Sequence, residues 1–141
     1  MTKEEQIYSQ AKKLGACPLM KGTENTDELI ELFFTPQGLE FCSKYNFPTM
    51  WALSPFKGMQ ATRGGFYIDT PVKAKNRRRI ALFGKETIAE LEYDDPTQRH
   101  EVIAMHGAKV KIKASGYAVV FVTNVSGTVE TDIKDSAKVL L

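Results

Sequence analysis

The sequence predicts an α+β fold, a small helical cap over residues 1–58 followed by a β-solenoid over residues 59–141. Two observations carry this. The first is a repeat about every ten residues along 107–141. Small residues recur at Ala108, Ala118, Thr128 and Ala137, and corners at Ser115-Gly116, Ser126-Gly127 and Asp135-Ser136. Between corners the apolar residues alternate, as Val110, Ile112, Ala114, then Val120, Val122, then Val129, Ile133, then Val139. Alternation with a period of two implies short strands with one buried face. The second observation is a set of capped amphipathic helices confined to the first 58 residues.

In chain order, Thr2-Lys3-Glu4-Glu5 reads as a capping box, in which the Thr2 hydroxyl takes the Glu5 amide proton. Ile7, Ala11 and Leu14 then share one face, and Gly15 ends a helix over 3–14. Asn25 and Glu28 form a second capping pair before Leu29, Ile30, Leu32, Phe33 and Phe34, a helix apolar nearly all round. Thr35 caps a third helix with Pro36 at its first position, where a missing N–H costs nothing, and Asn46 closes it. Pro48-Thr49 opens one more turn that Ser54-Pro55 breaks. Phe33, Phe34, Phe41, Tyr45, Phe47, Trp51 and Phe56 are the expected core of this part.

Beyond Gly58 the pattern turns to strands. Arg63-Gly64-Gly65 is a turn, Phe66-Tyr67-Ile68 a short strand, and 69–71 and 76–79 are corners. Further strands are expected at 80–84, 87–93, 101–106, 109–114, 117–123, 128–133 and 137–141. Two-residue Ser-Gly corners also suit hairpins, so an antiparallel β-meander or sandwich is the alternative. Residues of one size at one phase of every unit favour the solenoid, because stacked copies place equivalent positions above one another. The helical part then caps one end and covers that open edge.

Bulk properties bound the function. Lysine and arginine number 19 against 17 acidic residues, a net charge of +2 that is too balanced to predict a polyanionic partner. Cys17 and Cys42 stand outside any CxxC spacing and read as two buried thiols rather than a disulfide. The N-terminal residues lack an apolar signal core, and no apolar run approaches the roughly 18 residues of a membrane span. The expected compartment is the cytoplasm, with no membrane partner.

The pattern SGYAVVFV, SGTVETDI and SAKVLL resembles the short-rung β-solenoids of bacterial putative adhesin head domains and of phage fibre and head-decoration proteins. Gly107-Ala108, Gly116-Tyr117-Ala118 and Gly127-Thr128 carry the likeness, which covers about the last 60 residues. It implies an extended, often trimeric, non-catalytic surface for attachment or particle assembly. The absence of a signal segment fits a phage particle better than a secreted adhesin.

Candidate sites are few. Val119, Phe121 and Val125 lie on the opposite phase from the buried valines, so they are expected to face outward and form a homo-oligomer interface. Lys73, Lys75, Arg77, Arg78 and Arg79 form one basic corner able to contact phosphates, the basis of a nucleic-acid-binding alternative. Asp94-Asp95 with Glu92 and Glu101 offer an acid pair for a small hydrolase with its pocket near Asp94, Asp95 and His100, a weaker third reading, since adjacent acids before Pro96 more commonly start a solvated turn. His100 and His106 on one extended strand lie about 20 Å apart and cannot share a metal. No nucleophile elbow, phosphate loop or HExxH occurs. The sequence thus predicts a non-enzymatic structural or interaction subunit without cofactor or metal, partnered by copies of itself and by other protein subunits.

Overall fold

The computed structural model describes residues 2–15 and 20–141. The chain divides into two compact units, Met1–Gly64 and Gly65–Leu141. Cys17 lies outside the described residues, while Cys42 is a buried free thiol whose burial pushes its pKa up to about 12.

The first unit is helical: α1 (Lys3–Lys13), α2 (Thr26–Phe33), α3 (Pro36–Tyr45), α4 (Met50–Leu53), a 3₁₀ turn at Ser54–Phe56 and α5 (Met59–Gly64). The caps are those the sequence marks. Thr2, Asn25, Thr35 and Thr49 each accept a backbone N–H three residues on, and Asn25 with Glu28 completes a reciprocal box. Asn46 ends α3 in the left-handed conformation, at φ 50°. Gly38 lets α3 begin against the end of α2, where a Cβ would stand 1.9 Å from the Leu32 carbonyl oxygen.

Two expectations for this unit need correction. Phe33, Phe34, Phe47 and Phe56 are buried, but Trp51 is 69% exposed and Tyr45 39%, so these two lie outside the core. One turn of helix brings Ala52 and Leu53 inward and leaves Trp51 on the other side. The turn expected at Arg63-Gly64 is instead the end of α5, which packs on α2, with Ile30 occupying the space a side chain on Gly64 would need.

The second unit is a parallel β-solenoid. Its strands are β1 (Phe66–Ile68), β2 (Val72–Lys75), β3 (Arg79–Phe83), β4 (Ile88–Tyr93), β5 (Arg99–Met105), β6 (Lys109–Ala114), β7 (Val119–Asn124), β8 (Thr128–Ile133) and β9 (Lys138–Leu140). Odd strands form one sheet in the order β1-β3-β5-β7-β9, and even strands a second, β2-β4-β6-β8. Every pairing is parallel, which removes the meander. Each corner therefore carries the chain from one sheet to the other, and the crossover that parallel pairing demands is a strand of the opposite sheet.

This geometry refines the repeat. The ten-residue unit is half a coil, so a strand stacks on the next but one, 21 residues from Ala89 to Val110 and 19 from Val119 to Lys138. Small residues stack in two columns, one per corner. Thr87, Ala108 and Gly127 form the first, linked by Lys109 N–H to Thr87 O at 2.9 Å and Thr128 N–H to Ala108 O at 2.8 Å. Ala118 and Ala137 belong to the second. The small residue of the β8 unit is thus Gly127 and not Thr128, which is exposed. A Cβ on Gly127 would lie 2.7 Å from the Ala108 carbonyl oxygen. The structure also places β2 between two corners where the sequence reading has no strand; Val72 and Ala74 are its only apolar residues, too few to show alternation.

The core lies between the sheets, in columns of aligned side chains. Ile80, Val102 and Val122 form one, and Ala74, Leu91 and Ile112 another. Stacking buries apolar area that a lone strand would leave wet, at roughly 25 cal/mol per Å². Ala81, Phe83, Ile103 and Met105, on the opposite face of their strands, are buried too, so β3 and β5 read as continuous apolar runs. Burial fails in the final coil. Ile112 is fully buried, whereas Thr131, next in its column, is exposed, and Ile133 is 45% exposed. Accordingly Ile112→Ala is expected to cost about 2–4 kcal/mol, and Thr131→Ala less than about 1 kcal/mol. Urea unfolding of the two variants measures the difference, and equal losses would contradict the assigned stacking.

Candidate functional site

The expected interface residues lie at the β7 end of the odd-numbered sheet. Val119 and Phe121 occupy outward positions on β7, and Val125 follows that strand, its N–H donating to Ala104 O at 2.9 Å. All three are half-buried rather than freely exposed. The Arg99 guanidinium lies 3.9 Å from the centre of the Phe121 ring and also meets Glu101 at 3.3 Å. Such a cation–ring contact contributes about 0.5–1 kcal/mol at a partly exposed site. Phe121 is in register with Leu140, itself 46% exposed, so an apolar strip crosses from β7 onto β9.

The basic corner is divided among separate partners. Lys73 meets Glu90 at 3.6 Å, Lys75 meets Asp94 at 3.4 Å and Arg79 meets Glu101 at 3.7 Å. Arg77 lies over the Tyr67 ring, 5.7 Å from its centre, and donates to its hydroxyl at 3.3 Å. Arg78 is exposed. Lysine and arginine here carry much of their charge into local pairs, which reduces the field a polyanion would meet.

The even-numbered sheet extends this pairing across its outer face. Strand register sets Lys73, Glu90, Lys111 and Glu130 in one row across the strands, and Lys75, Glu92, Lys113 and Asp132 in the next. Charge alternates at every step in both rows. Neighbours about 5 Å apart across a parallel ladder attract where like charges would repel, each exposed pair contributing about 0–1 kcal/mol. Lys109, Lys111 and Lys113 are wet, as the sequence implies, and alternate with buried Val110 and Ile112. A groove of about 330 Å³ lies over this face, lined by Lys73, Glu90, Glu92 and Lys111 among others.

The acids and histidines follow the corner geometry. Asn76 sits in the left-handed conformation, φ 53°, and its side-chain oxygen accepts the Asp94 and Asp95 amides at 2.8 and 3.2 Å. Its amide nitrogen donates to the Asp94 carboxylate at 2.6 Å. That bond first, then the Lys75 charge, holds the Asp94 carboxyl below the ordinary carboxylate range. Thr97 donates to the Asp95 carboxylate from its amide at 2.8 Å and from its hydroxyl at 2.6 Å, and lowers that group likewise. Both carboxylates therefore hold turns. His100 is fully buried against Tyr93, their ring centres 4.7 Å apart, and its Nε2 contacts the Asp95 backbone oxygen at 3.1 Å. Among the described residues His100 Nδ1 and Tyr93 Oη find no hydrogen-bond partner, two buried polar atoms that the alternating pattern gives no means of finding. The strand expected to carry both histidines ends at Met105; His106 turns the corner at φ 57°. Among the described residues no three His, Cys, Asp or Glu side chains gather as a metal site, and no helix is long and apolar enough to cross a membrane.

Comparison with family models, with curated proteins and with solved structures finds no match.

The Asn76 corner makes a pH-dependent prediction. Because the Asp94 carboxyl is held low in the folded state, its contribution is complete above the unfolded pKa and lost as pH falls through the folded one. Asn76→Ala removes both its bonds and its tolerance of positive φ, and is expected to cost about 1–3 kcal/mol at neutral pH. The gap from wild type narrows on acidification but persists, since the bonds to the two amides do not titrate. Thermal midpoints against pH would show this, and a gap that widens in acid would refute the assignment.

Proposed function

We propose that this protein is a non-catalytic assembly or attachment subunit that self-associates through its β unit. The observation that carries this reading is the apolar strip of Val119, Phe121 and Leu140 on the outer face of β7 and β9. The two central outward rows of the even-numbered sheet are charged throughout, so the apolar side chains at outward positions of β7 and β9 suit a surface that a partner covers. The solenoid interior is filled by aligned side chains, and the corner acids are bound in turns. Both features suit a rigid scaffold. The resemblance to phage and adhesin solenoids favours a particle or attachment role, with a trimer as one arrangement and other protein subunits as further partners. Synthesis in the cytoplasm and incorporation into a phage-like particle fit that role.

Light scattering on a sizing column tests this directly. Wild type is expected to run as an oligomer and Phe121→Glu at lower mass, because a carboxylate would have to be desolvated in the contact. A monomeric wild type would refute self-association. Salt-dependent binding of a short DNA duplex that disappears on changing Arg77, Arg78 and Arg79 to Ala would favour the nucleic-acid reading instead.

A further inference from the structure

The last coil leaves two adjacent edges unpaired, and they are not level. The odd-numbered sheet has five strands and the even-numbered sheet four, so β9 stands half a coil beyond β8. Thr128 and Lys134 donate their N–H groups back to Ala108 and Ala114, and Lys138 to Ala118. Backbone groups alternate sides along a strand. Those of Val129, Thr131 and Ile133 on β8, and of Val139 on β9, therefore face the open edge. Inward side chains there are only partly covered, Val129 and Val139 being half-buried and Ile133 45% exposed. An edge of this kind is a template for another strand.

We propose that this end of the solenoid is a two-fold interface with a second copy of the chain, in which β8 of each copy pairs antiparallel with β9 of the other. The proposal rests on the self-association reading above and specifies a second surface for it, the β8 and β9 edges, which meets the Phe121 strip only at Leu140. Two features select this occupant and this arrangement. The first is the step. A two-fold axis running along the strands exchanges the two sheets, so each projecting β9 fills the recess above the other copy's β8, and both ladders continue without a gap. Head-to-tail stacking with β1 of one copy on β9 of another leaves a one-strand gap between β8 and β2. Turned by half a coil, with β1 on β8 and β2 on β9, it closes the gap but sets the outward lysines of β2, Lys73 or Lys75, beside Lys138, and the apolar Phe66 and Ile68 of β1 beside the β8 acids.

The second feature is charge. The outward residues of β8 include Glu130 and Asp132, the acids at one end of the alternating rows among the described strands. The outward residues of β9 are Lys138 and Leu140. In the register that sets Thr131 opposite Val139, the edge-facing backbone groups of these two residues meet as a hydrogen-bonded pair. Asp132 then lies beside Lys138 and Glu130 beside Leu140, and the symmetry makes each contact twice. Pairing β8 with β8 would instead bring Glu130 and Asp132 against their own copies, which repel.

The test uses the full chain carrying Phe121→Glu, so that only the end contact remains. Sedimentation equilibrium is expected to give a dimer. Adding Thr131→Pro removes an N–H that the monomer does not use, a substitution edge strands accept. It is expected to give a monomer with unchanged far-ultraviolet circular dichroism. Asp132→Lys is expected to weaken the dimer roughly tenfold or more, and Asp132→Lys with Lys138→Asp to restore it. Because the exchanged pair sits on exposed positions, it decides the matter even if the proline variant fails to fold. Mass that ignores the edge substitutions while Phe121→Glu alone yields monomer would overturn the end contact and leave the self-association reading standing. Growth without limit as concentration rises would show head-to-tail stacking and overturn it too. A monomeric wild type would remove both.

Discussion

The solenoid unit depends on one constraint: a parallel strand can satisfy its backbone only on a strand running the same way, directly above or below. Once β3 lies on β1, the chain must cross to the opposite sheet and return before it can bond again. Everything else in the unit answers that demand. Side chains of one column meet those of the same phase one coil away, and many match in size: Ala108 above Thr87, Val122 above Val102, Ile112 above Leu91. Corners must reverse the chain in few residues, and left-handed backbone recurs at Asp69, Asn76, Gly84, His106, Gly116 and Asp135. Asparagine, aspartate and glycine suit that conformation because their side chains are short or absent.

That demand is why the strands of the later coils were legible. Many equivalent positions that touch are alike in polarity and size, so the fold writes a period into the sequence. The corners were legible too, through Ser115-Gly116 and Asp135-Ser136. What pattern reading could not supply was the path. A ten-residue repeat is equally compatible with each unit lying on its neighbour and with each lying on the next but one; only the ladder shows that Thr128 N–H goes to Ala108 and not to the unit just before. The strand β2 escaped notice because half of its four residues are lysine. In the helical unit the caps were explicit, since Thr2, Asn25, Thr35 and Thr49 each act within three residues of themselves. The exposure of Trp51 was not, because a four-residue helix is too short for periodicity to define a buried face.

Legibility was lower for the candidate site. The outward phase of Val119 and Phe121 could be read from alternation, but the Arg99 guanidinium resting on the Phe121 ring could not, since it comes from a strand one coil away. The same holds for the basic corner. Five cations within seven residues look like a patch in one dimension. In three, four of them are dispersed to Glu90, Asp94, Glu101 and Tyr67, brought in from other strands and the next corner, and Arg78 is left exposed. Asn76 shows the reverse case: one side chain reaches from its own corner to the next and ties two coils together with three hydrogen bonds.

The alternating rows on the even-numbered sheet also limit how such a solenoid can change length. Removing one coil that contains β6 would set Glu90 and Glu92 directly against Glu130 and Asp132, acid on acid in both rows. Removing two adjacent coils would leave the alternation intact. The charge pattern therefore acts as a parity rule, under which the unit tolerates gain or loss of coils in pairs and resists single insertions and deletions.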